Sequence, residues 1–183
     1  MRPAGIYTIK SGYQWKQNEG QQMDWWRAVW NRTNVPKHSF IFWLAMRCRL
    51  LTRERLMQMG IGQDIPCPLC GSHPETNAHL FFECEFSKAC LEDTLNWLKT
   101  KQRNMGLQEI WKGVTRKVTG KTSRGLIWAI LAALIYYIWQ VRNDAVWDQI
   151  VPRTHMILQK IQMKSKVRIF EILKRKHMCK NRY

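Results

Sequence analysis

Four residues in the first half of the chain have the types and the spacing of a metal-binding site. Cys67, Cys70, His79 and Cys84 form the pattern C-x2-C-x8-H-x4-C. Zinc prefers four cysteine or histidine ligands in a tetrahedron, and three cysteines with one histidine are a common structural set. Because four protein ligands leave no position for a water molecule, the pattern predicts one structural zinc ion rather than a catalytic one.

The residues around this pattern affect how the ligands are presented. Pro68 and Gly71 suit a tight turn at the first two cysteines, because proline restricts φ and glycine permits a positive φ. Asn77 is expected to cap a short helical segment that carries His79. His73 is a rival ligand, but it follows the second cysteine by only three residues, so geometry favours His79.

The remaining cysteines, Cys48, Cys90 and Cys179, lie outside the pattern. The first twenty residues show no secretory signal, so we expect an intracellular protein whose cysteines stay reduced. In that setting clustered cysteine and histidine indicate a metal site more than disulfides or ordinary core cysteines. Cys48 and Cys90 fall on helical patterns and are expected to be plain core residues.

The four ligands lie in a segment that we call the finger, residues 61–86. The helical patterns on both sides of the finger must position these ligands. We predict a mainly α-helical domain with a small irregular CCHC zinc-binding finger and at most a short N-terminal strand, over residues 5–15. Four segments are expected: an N-terminal segment (1–23), a helical zinc-binding domain (24–100), an apolar helical segment (101–152) and a basic C-terminal helix and tail (153–183).

Capping residues and apolar stripes give further detail. Three helices are expected to begin at capping side chains, those of Asp24, Thr52 and Ser87. A short helix is expected around residues 107–114. The helix over residues 37–49 should place on one side Phe40, Trp43, Leu44 and the stem of Arg47. The helix after Ser87 carries a stripe of Cys90, Leu91, Thr94, Leu95 and Leu98.

The longest apolar run, Leu126 to Trp139, has 14 residues. A membrane-spanning helix needs about 20 apolar residues, so a buried helix is the better interpretation and no membrane partner is expected. This helix should run from about residue 123 to residue 148, before Pro152.

Charge is distributed unevenly along the chain, whose net charge is +17. Residues 61–96 contain one base and six acids, whereas residues 97–183 contain 19 bases and four acids. The excess of bases over residues 97–183 predicts that this C-terminal half binds RNA or DNA, with weak selectivity and strong salt dependence. The candidate phosphate contacts are Lys160, Lys164, Lys166, Arg168, Lys174, Arg175 and Lys176. The alternative is a solvated helix face without a specific partner. Aromatic residues that could stack on bases but are expected in the core include Trp97, Trp111 and Phe170.

Several stretches together resemble the zinc-binding domain that follows the reverse transcriptase in plant LINE-type (non-LTR) retrotransposons. They are GIYTIKSGYQW, WWRAVWNRTNVPKHSFIFWLAMRCRLLTRERLMQMGI, CPLCGSHPETNAHLFFECEFSKACL and IWQVRNDAVWD. The resemblance implies that Cys67, Cys70, His79 and Cys84 bind zinc and that the parent polyprotein handles nucleic acid. Since Met1 lies almost inside the family's first strand, the chain is expected to be the tail of a larger element or a gene derived from one.

No combination of residues indicates catalysis. The five aspartates stand apart, no F/Y-x-D-D motif occurs, and no nucleophile–base pair is visible, so no enzyme is expected. The leading hypothesis is a nucleic-acid-binding module that serves a reverse transcriptase encoded elsewhere, with a nuclear location. A protein-interaction domain with a purely structural zinc, or a degenerate retroelement fragment, are the alternatives.

Overall fold

The computed structural model describes residues 25–63, 65–99, 118 and 120–180, with the side chains of residues 121, 173 and 175–180 left undescribed. This part of the chain is helical, as predicted, and contains no strand, only an isolated bridge between Pro66 and Pro74. The helices are α1 (Trp26–Val29), α2 (Pro36–Met46), α3 (Arg53–Gln58), a π-helical segment (His79–Glu83), α4 (Glu85–Trp97), α5 (Lys121–Trp147) and α6 (Thr154–Lys180). The predicted N-terminal strand, the cap at Asp24 and the helix at 107–114 lie outside the described residues.

Helix α5 forms the centre of the fold. It packs against α1, α2, α4 and α6. Its buried apolar side chains are Ile127, Ile130, Leu131, Ala132, Ala133, Leu134, Ile135, Tyr137, Ile138 and Val141. By length and composition α5 could cross a membrane, but 61% of its most apolar window is buried inside the protein. The packing therefore supports the prediction that α5 is a buried helix of the core.

Helix α3 starts at the cap that the sequence predicts. The Thr52 hydroxyl accepts a hydrogen bond of 3.4 Å from the Arg55 amide, and Glu54 lies in the first turn, where the helix dipole favours an acid. Gly60 follows the last turn with φ +72°, a conformation that strains most other residues.

The expected side of α2 is confirmed only in part, because Trp43 and Leu44 are partly buried and pack against the core but the other two residues do not. Phe40 is 51% exposed and Arg47 is also exposed, whereas the buried residues are His38, Ser39, Phe42, Ala45 and Met46. Two polar side chains of α2 also lie inward. The Ser39 hydroxyl donates to the Val29 carbonyl at 2.6 Å, and the His38 ring packs on two tyrosines of α5.

Helix α4 buries the predicted stripe but begins differently. Cys90, Thr94 and Leu95 are buried, while the partly buried Leu91 and Leu98 pack against the same core. The N-cap is Cys84 rather than Ser87, whose hydroxyl is buried and donates to the Leu80 carbonyl at 2.5 Å. The expectation that Ser87 caps this helix was therefore wrong.

The two cysteines expected in the core have different environments. Cys90 is buried, as predicted, and burial raises the pKa of its thiol to about 12. Cys48 is exposed in the loop after α2, with φ +49°, so its core assignment was wrong. The Cys179 side chain lies outside the described part of the structure.

The C-terminal helices share one hydrophobic core with the rest of the described chain. Ile157 and Ile161 of α6 are fully buried and belong to the same cluster as Phe42 and Phe81. Phe170 of the same helix is 68% exposed, so its expected core position was wrong. Trp97 is partly buried against the core, as expected, and Trp111 lies outside the described residues. The predicted segment boundaries at residues 100 and 152 stay predictions, but the described parts on either side of them pack together.

Candidate metal centre

The four predicted ligands converge in space. The side-chain ligand atoms of Cys67, Cys70, His79 and Cys84 all lie within 4.8 Å of one another, and Cys70 Sγ lies 3.3 Å from His79 Nε2. Zn–S and Zn–N bonds of about 2.3 and 2.0 Å in a tetrahedron imply ligand atoms about 3.5–3.8 Å apart. The donor set and its spacing therefore fit one zinc ion, and Cys67, His79 and Cys84 are buried.

A tight turn presents the first two cysteines. The Gly71 amide donates to the Cys67 carbonyl at 2.8 Å, and Gly71 has φ +68°, so glycine is needed for the conformation that the sequence predicted. The Cys67 amide donates to the His73 carbonyl at 2.7 Å, which closes the loop. The amides of Leu69 and Cys70 are directed at the Cys67 sulfur and favour its thiolate.

A π-helical turn brings His79 and Cys84 together. On an α-helix five residues rotate through about 500°, which would leave these side chains about 140° apart. Here the Cys84 amide donates to the His79 carbonyl at 2.8 Å, an i→i+5 bond that widens the turn and returns Cys84 to the side of His79.

The cap of this π-helical segment differs from the prediction. The Thr76 hydroxyl accepts a hydrogen bond of 2.8 Å from the His79 amide. The Asn77 side chain instead donates to the Ala45 carbonyl at 3.1 Å and so ties the finger to the end of α2. The cap assigned to Asn77 was therefore wrong.

The third cysteine ligand lies at the start of a helix. Cys84 occupies the N-cap position of α4, close to the amides of Phe86 and Ser87. Hydrogen bonding with Cys67 is the largest cause that lowers the pKa of Cys84, to about 5, and the helix amides act in the same direction. The same contact, followed by burial, raises the pKa of Cys67. Zinc binds cysteine as the thiolate, so metal binding at this pair should release protons.

The rival ligand lies beside the centre without joining it. The His73 side chain is exposed, and its ring centroid lies 5.4 Å from that of His79. The four residues that cluster are those that the spacing favoured.

Comparison with known protein families agrees with this geometry. Residues 7–90, which contain all four ligands, match the family described as zinc-binding in reverse transcriptase. The match identifies residues 7–90 as a reverse transcriptase zinc-binding domain. No curated protein and no solved structure matches the chain significantly.

The zinc-binding domain contains a buried acid that the sequence analysis missed. Glu75 is 1% exposed and lies between the second cysteine and the histidine. Its carboxylate accepts hydrogen bonds from Arg142 Nε and Nη2 at 2.6 and 2.8 Å, and from the Arg53 amide at 2.9 Å. The only signal was the IWQVRNDAVWD stretch of the resemblance, which contains Arg142.

This ion pair joins the zinc-binding domain to α5. Arg142 is also buried, stacks 5.0 Å from the Trp139 ring centroid and donates to the Asn143 side chain at 3.1 Å. A buried charge requires such a complete set of partners. The finger is therefore held against a helix that lies beyond the matched residues.

The predicted nucleic-acid contacts lie on α6, outside the zinc-binding domain, and differ in availability. Lys160, Lys164, Lys166 and Lys174 are exposed. Arg168 is engaged within the protein: its guanidinium donates to the Thr33 and Arg32 carbonyls at 2.8 and 2.6 Å and pairs with Glu171. The side chains of Arg175 and Lys176 lie outside the described part.

Proposed function

We propose that this chain is a non-catalytic, zinc-stabilised module that binds nucleic acid through its basic C-terminal half. Its origin would be the C-terminal part of a retrotransposon reverse transcriptase polyprotein, of the plant LINE type. Its role would be to hold template RNA or target DNA for a polymerase encoded elsewhere, inside the cell and in the nucleus.

The observation that carries this proposal is the separation of charge along the fold. Residues 97–183 carry 19 bases against four acids, and the exposed lysines of α6 offer their ammonium groups to solvent. Phosphate contacts made by such side chains release counterions and supply most of the affinity in non-specific binding.

The metal centre supports a structural role for zinc in this proposal. All four ligands come from the protein, which satisfies a tetrahedral ion without a water molecule. The finger together with most of α4 is also acidic, with one base and six acids over residues 61–96, and the exposed Glu83 and Glu85 flank the last ligand. Phosphate should therefore bind away from the finger.

Exposed apolar residues on α6 favour a second candidate, a protein-interaction domain. Met163, Val167 and Phe170 are exposed at 67%, 50% and 68%, and their spacing places them along one side of the helix. Such a stripe suits an apolar partner surface. The complete ligand set and the shared core speak against the third possibility, a degenerate fragment.

Titration of zinc-loaded, nuclease-treated protein with 12-nucleotide RNA and with duplex DNA across salt concentrations tests the proposal. Binding should survive near 0.15 M salt, and charge reversal of Lys160, Lys164 and Lys166 should flatten the log–log slope by about 2–3. The control reverses three exposed bases elsewhere with the same change in net charge, those of Arg47, Lys88 and Lys99.

Negligible binding near 0.15 M salt would overturn the proposal. Equal effects of the two triple reversals would show that net charge alone, and not α6, carries the affinity. Capture of a protein partner that persists at high salt would favour the protein-interaction candidate.

A further inference from the structure

An open groove of about 930 Å³ lies between α1, the loop after it, the start of α5 and α6. None of its lining residues is a metal ligand or one of the lysines considered above. Its lining includes two exposed tryptophans and three exposed arginines, namely Trp26, Trp30, Arg27, Arg32 and Arg124. This combination of aromatic faces and positive charge is typical of surfaces that bind single-stranded nucleic acid.

The tryptophans present their rings to solvent at the groove. Trp26 is 41% exposed and Trp30 is 52% exposed, and they lie four residues apart, so they occupy the same side of the α1 turn. Exposed tryptophan is unfavourable in a chain that has buried its neighbour Trp25 to 6%. Flat rings at this spacing offer stacking positions for bases.

The arginines surround these rings without an acid among the residues that line the groove. The Arg27 guanidinium carbon lies 5.9 Å from the Trp26 ring centroid. Glu171, on α6 one residue before the groove-lining Ile172, is already paired with Arg168. The charge of the groove is therefore complementary to phosphate.

The floor of the groove is held in place before any ligand arrives. Arg168 of α6 donates to the carbonyls of Arg32 and Thr33, and the Thr33 hydroxyl donates to the Gly125 carbonyl at 2.6 Å. A Cβ at Gly125 would lie 3.1 Å from Asn31 Oδ1, so glycine permits this close approach. The groove also continues onto basic α6 through Ile172.

We propose that this groove binds an unpaired base of a single-stranded nucleic acid, stacked on Trp26 and Trp30, with the adjoining phosphates at Arg27, Arg32 and Arg124. This inference rests on the proposed function, and it specifies which part of the nucleic acid the groove recognises. A volume of about 930 Å³ accommodates a nucleotide. Bases in a duplex are already stacked on their neighbours, so the groove selects single strands over duplexes.

The test compares the full zinc-loaded chain with a Trp26→Ala, Trp30→Ala double variant. Its ligands are 12-nucleotide oligouridine, oligodeoxythymidine and a 12-base-pair duplex, titrated across salt. We expect affinity for both single strands to fall about tenfold or more, with the salt slope and the duplex affinity unchanged. A Trp26→Phe, Trp30→Phe variant should recover most of the affinity, because it retains aromatic faces.

Trp147→Ala is the matched control, since this tryptophan is 80% exposed and does not line the groove. If the alanine pair loses zinc or helical content, reversal of Arg32 and Arg124 to Glu replaces it, with reversal of Arg47 and Arg49 as its control. That groove reversal should lower single-strand affinity at least tenfold more than its control does.

The outcomes separate this inference from the proposed function. Strong salt-dependent binding that the tryptophan and groove-arginine variants leave at control levels would overturn the groove and leave the nucleic-acid module standing. Equal losses for duplex and single strands would also overturn the selection of an unpaired base. Absence of binding by the unmodified protein would overturn both.

Discussion

At the residue scale, Cys84 has two roles. It is one of the four residues of the metal centre, and it occupies the N-cap position of α4, where the amides of Phe86 and Ser87 help to lower the pKa of its thiol. A buried thiolate without a counterion is costly, so these amides and the zinc ion act together to stabilise it. The start of α4 and the centre are therefore coupled through one side chain.

Replacing Cys84 with serine should separate these roles. Serine is a good N-cap, so α4 can still begin, but the substitution removes a soft ligand from the tetrahedron. Structural zinc contributes about 10–16 kcal/mol of apparent binding free energy, more than most domains can lose, so the variant should lose zinc and the finger should unfold. Zinc per chain and a thermal melt followed by circular dichroism measure both effects.

The matched control is Cys48→Ser, which changes an exposed cysteine outside the cluster. It should retain one zinc ion and the melting temperature of the unmodified chain. A Cys84→Ser protein with a full zinc content and an unchanged melt would contradict the assignment of Cys84 as a ligand.

The sequence predicts the ligands because coordination restricts both residue type and spacing. It does not predict that Thr76 caps the π-helical segment instead of Asn77, since that depends on how the backbone turns before His79. Glu75 has no local signal either, because its partner lies 67 residues further along the chain.

At the element scale, periodicity locates helices better than it orients them. Residues 40–46 of α2 are all apolar, so their pattern does not specify an inner side, and the contact with α5 decides it. Helix α4 has polar residues between its apolar ones, and its predicted stripe is confirmed. An apolar side is readable only where the opposite side of the helix is polar.

The contact between α2 and α5 encloses a histidine and makes stability dependent on pH. His38 is 2% exposed, lies 4.5 Å from Tyr136 between ring centroids, and has no partner for Nε2 within the described residues. Burial, then the charges of Lys37 and Lys164, lower its pKa from 6.5 to about 4. Between these values the unfolded chain binds the proton more readily, so stability is complete above about pH 6.5 and is lost as the pH falls towards 4.

His38→Gln should remove this part of the pH dependence, on the order of 2–3 kcal/mol between pH 6.5 and 4. Urea denaturation at a series of pH values measures it as a shallower slope of unfolding free energy against pH. The control is His155→Gln on the exposed side of α6. Acid release of zinc affects both variants alike, so a His38→Gln slope equal to that of the control would contradict the argument.

At the scale of the whole molecule, the zinc-binding domain depends on residues beyond it. The family match ends at residue 90, yet α5 and α6 supply much of the core, and Arg142 neutralises the buried Glu75 of the finger. Composition changes between these parts of the chain, and such changes predict separate segments. Composition does not reveal that opposite charges from two segments meet in the interior.

Removing one partner of this pair should destabilise the whole chain. In Arg142→Ala the buried Glu75 carboxylate keeps only one of its described hydrogen-bond donors, the backbone amide of Arg53. This loss should lower the unfolding free energy by about 3–5 kcal/mol. The control is Glu171→Ala, because Glu171 is 47% exposed and its pair with Arg168 should contribute less than about 1 kcal/mol. Urea denaturation of the zinc-loaded proteins measures both.

A double-mutant cycle tests whether the loss comes from the pair itself. Because Glu75→Ala with Arg142→Ala leaves no unpaired charge, the double variant should lose clearly less stability than the sum of the two single losses. Additive losses would mean that the two side chains act independently. Zinc affinity of the single variants is a separate measurement. If Arg142→Ala weakens zinc binding and Glu171→Ala does not, the ion pair with α5 stabilises the loop between Cys70 and His79 in its metal-binding conformation. The functional unit then extends at least to residue 142, and a fragment that ends at residue 90 would lack one of the contacts that hold its metal centre.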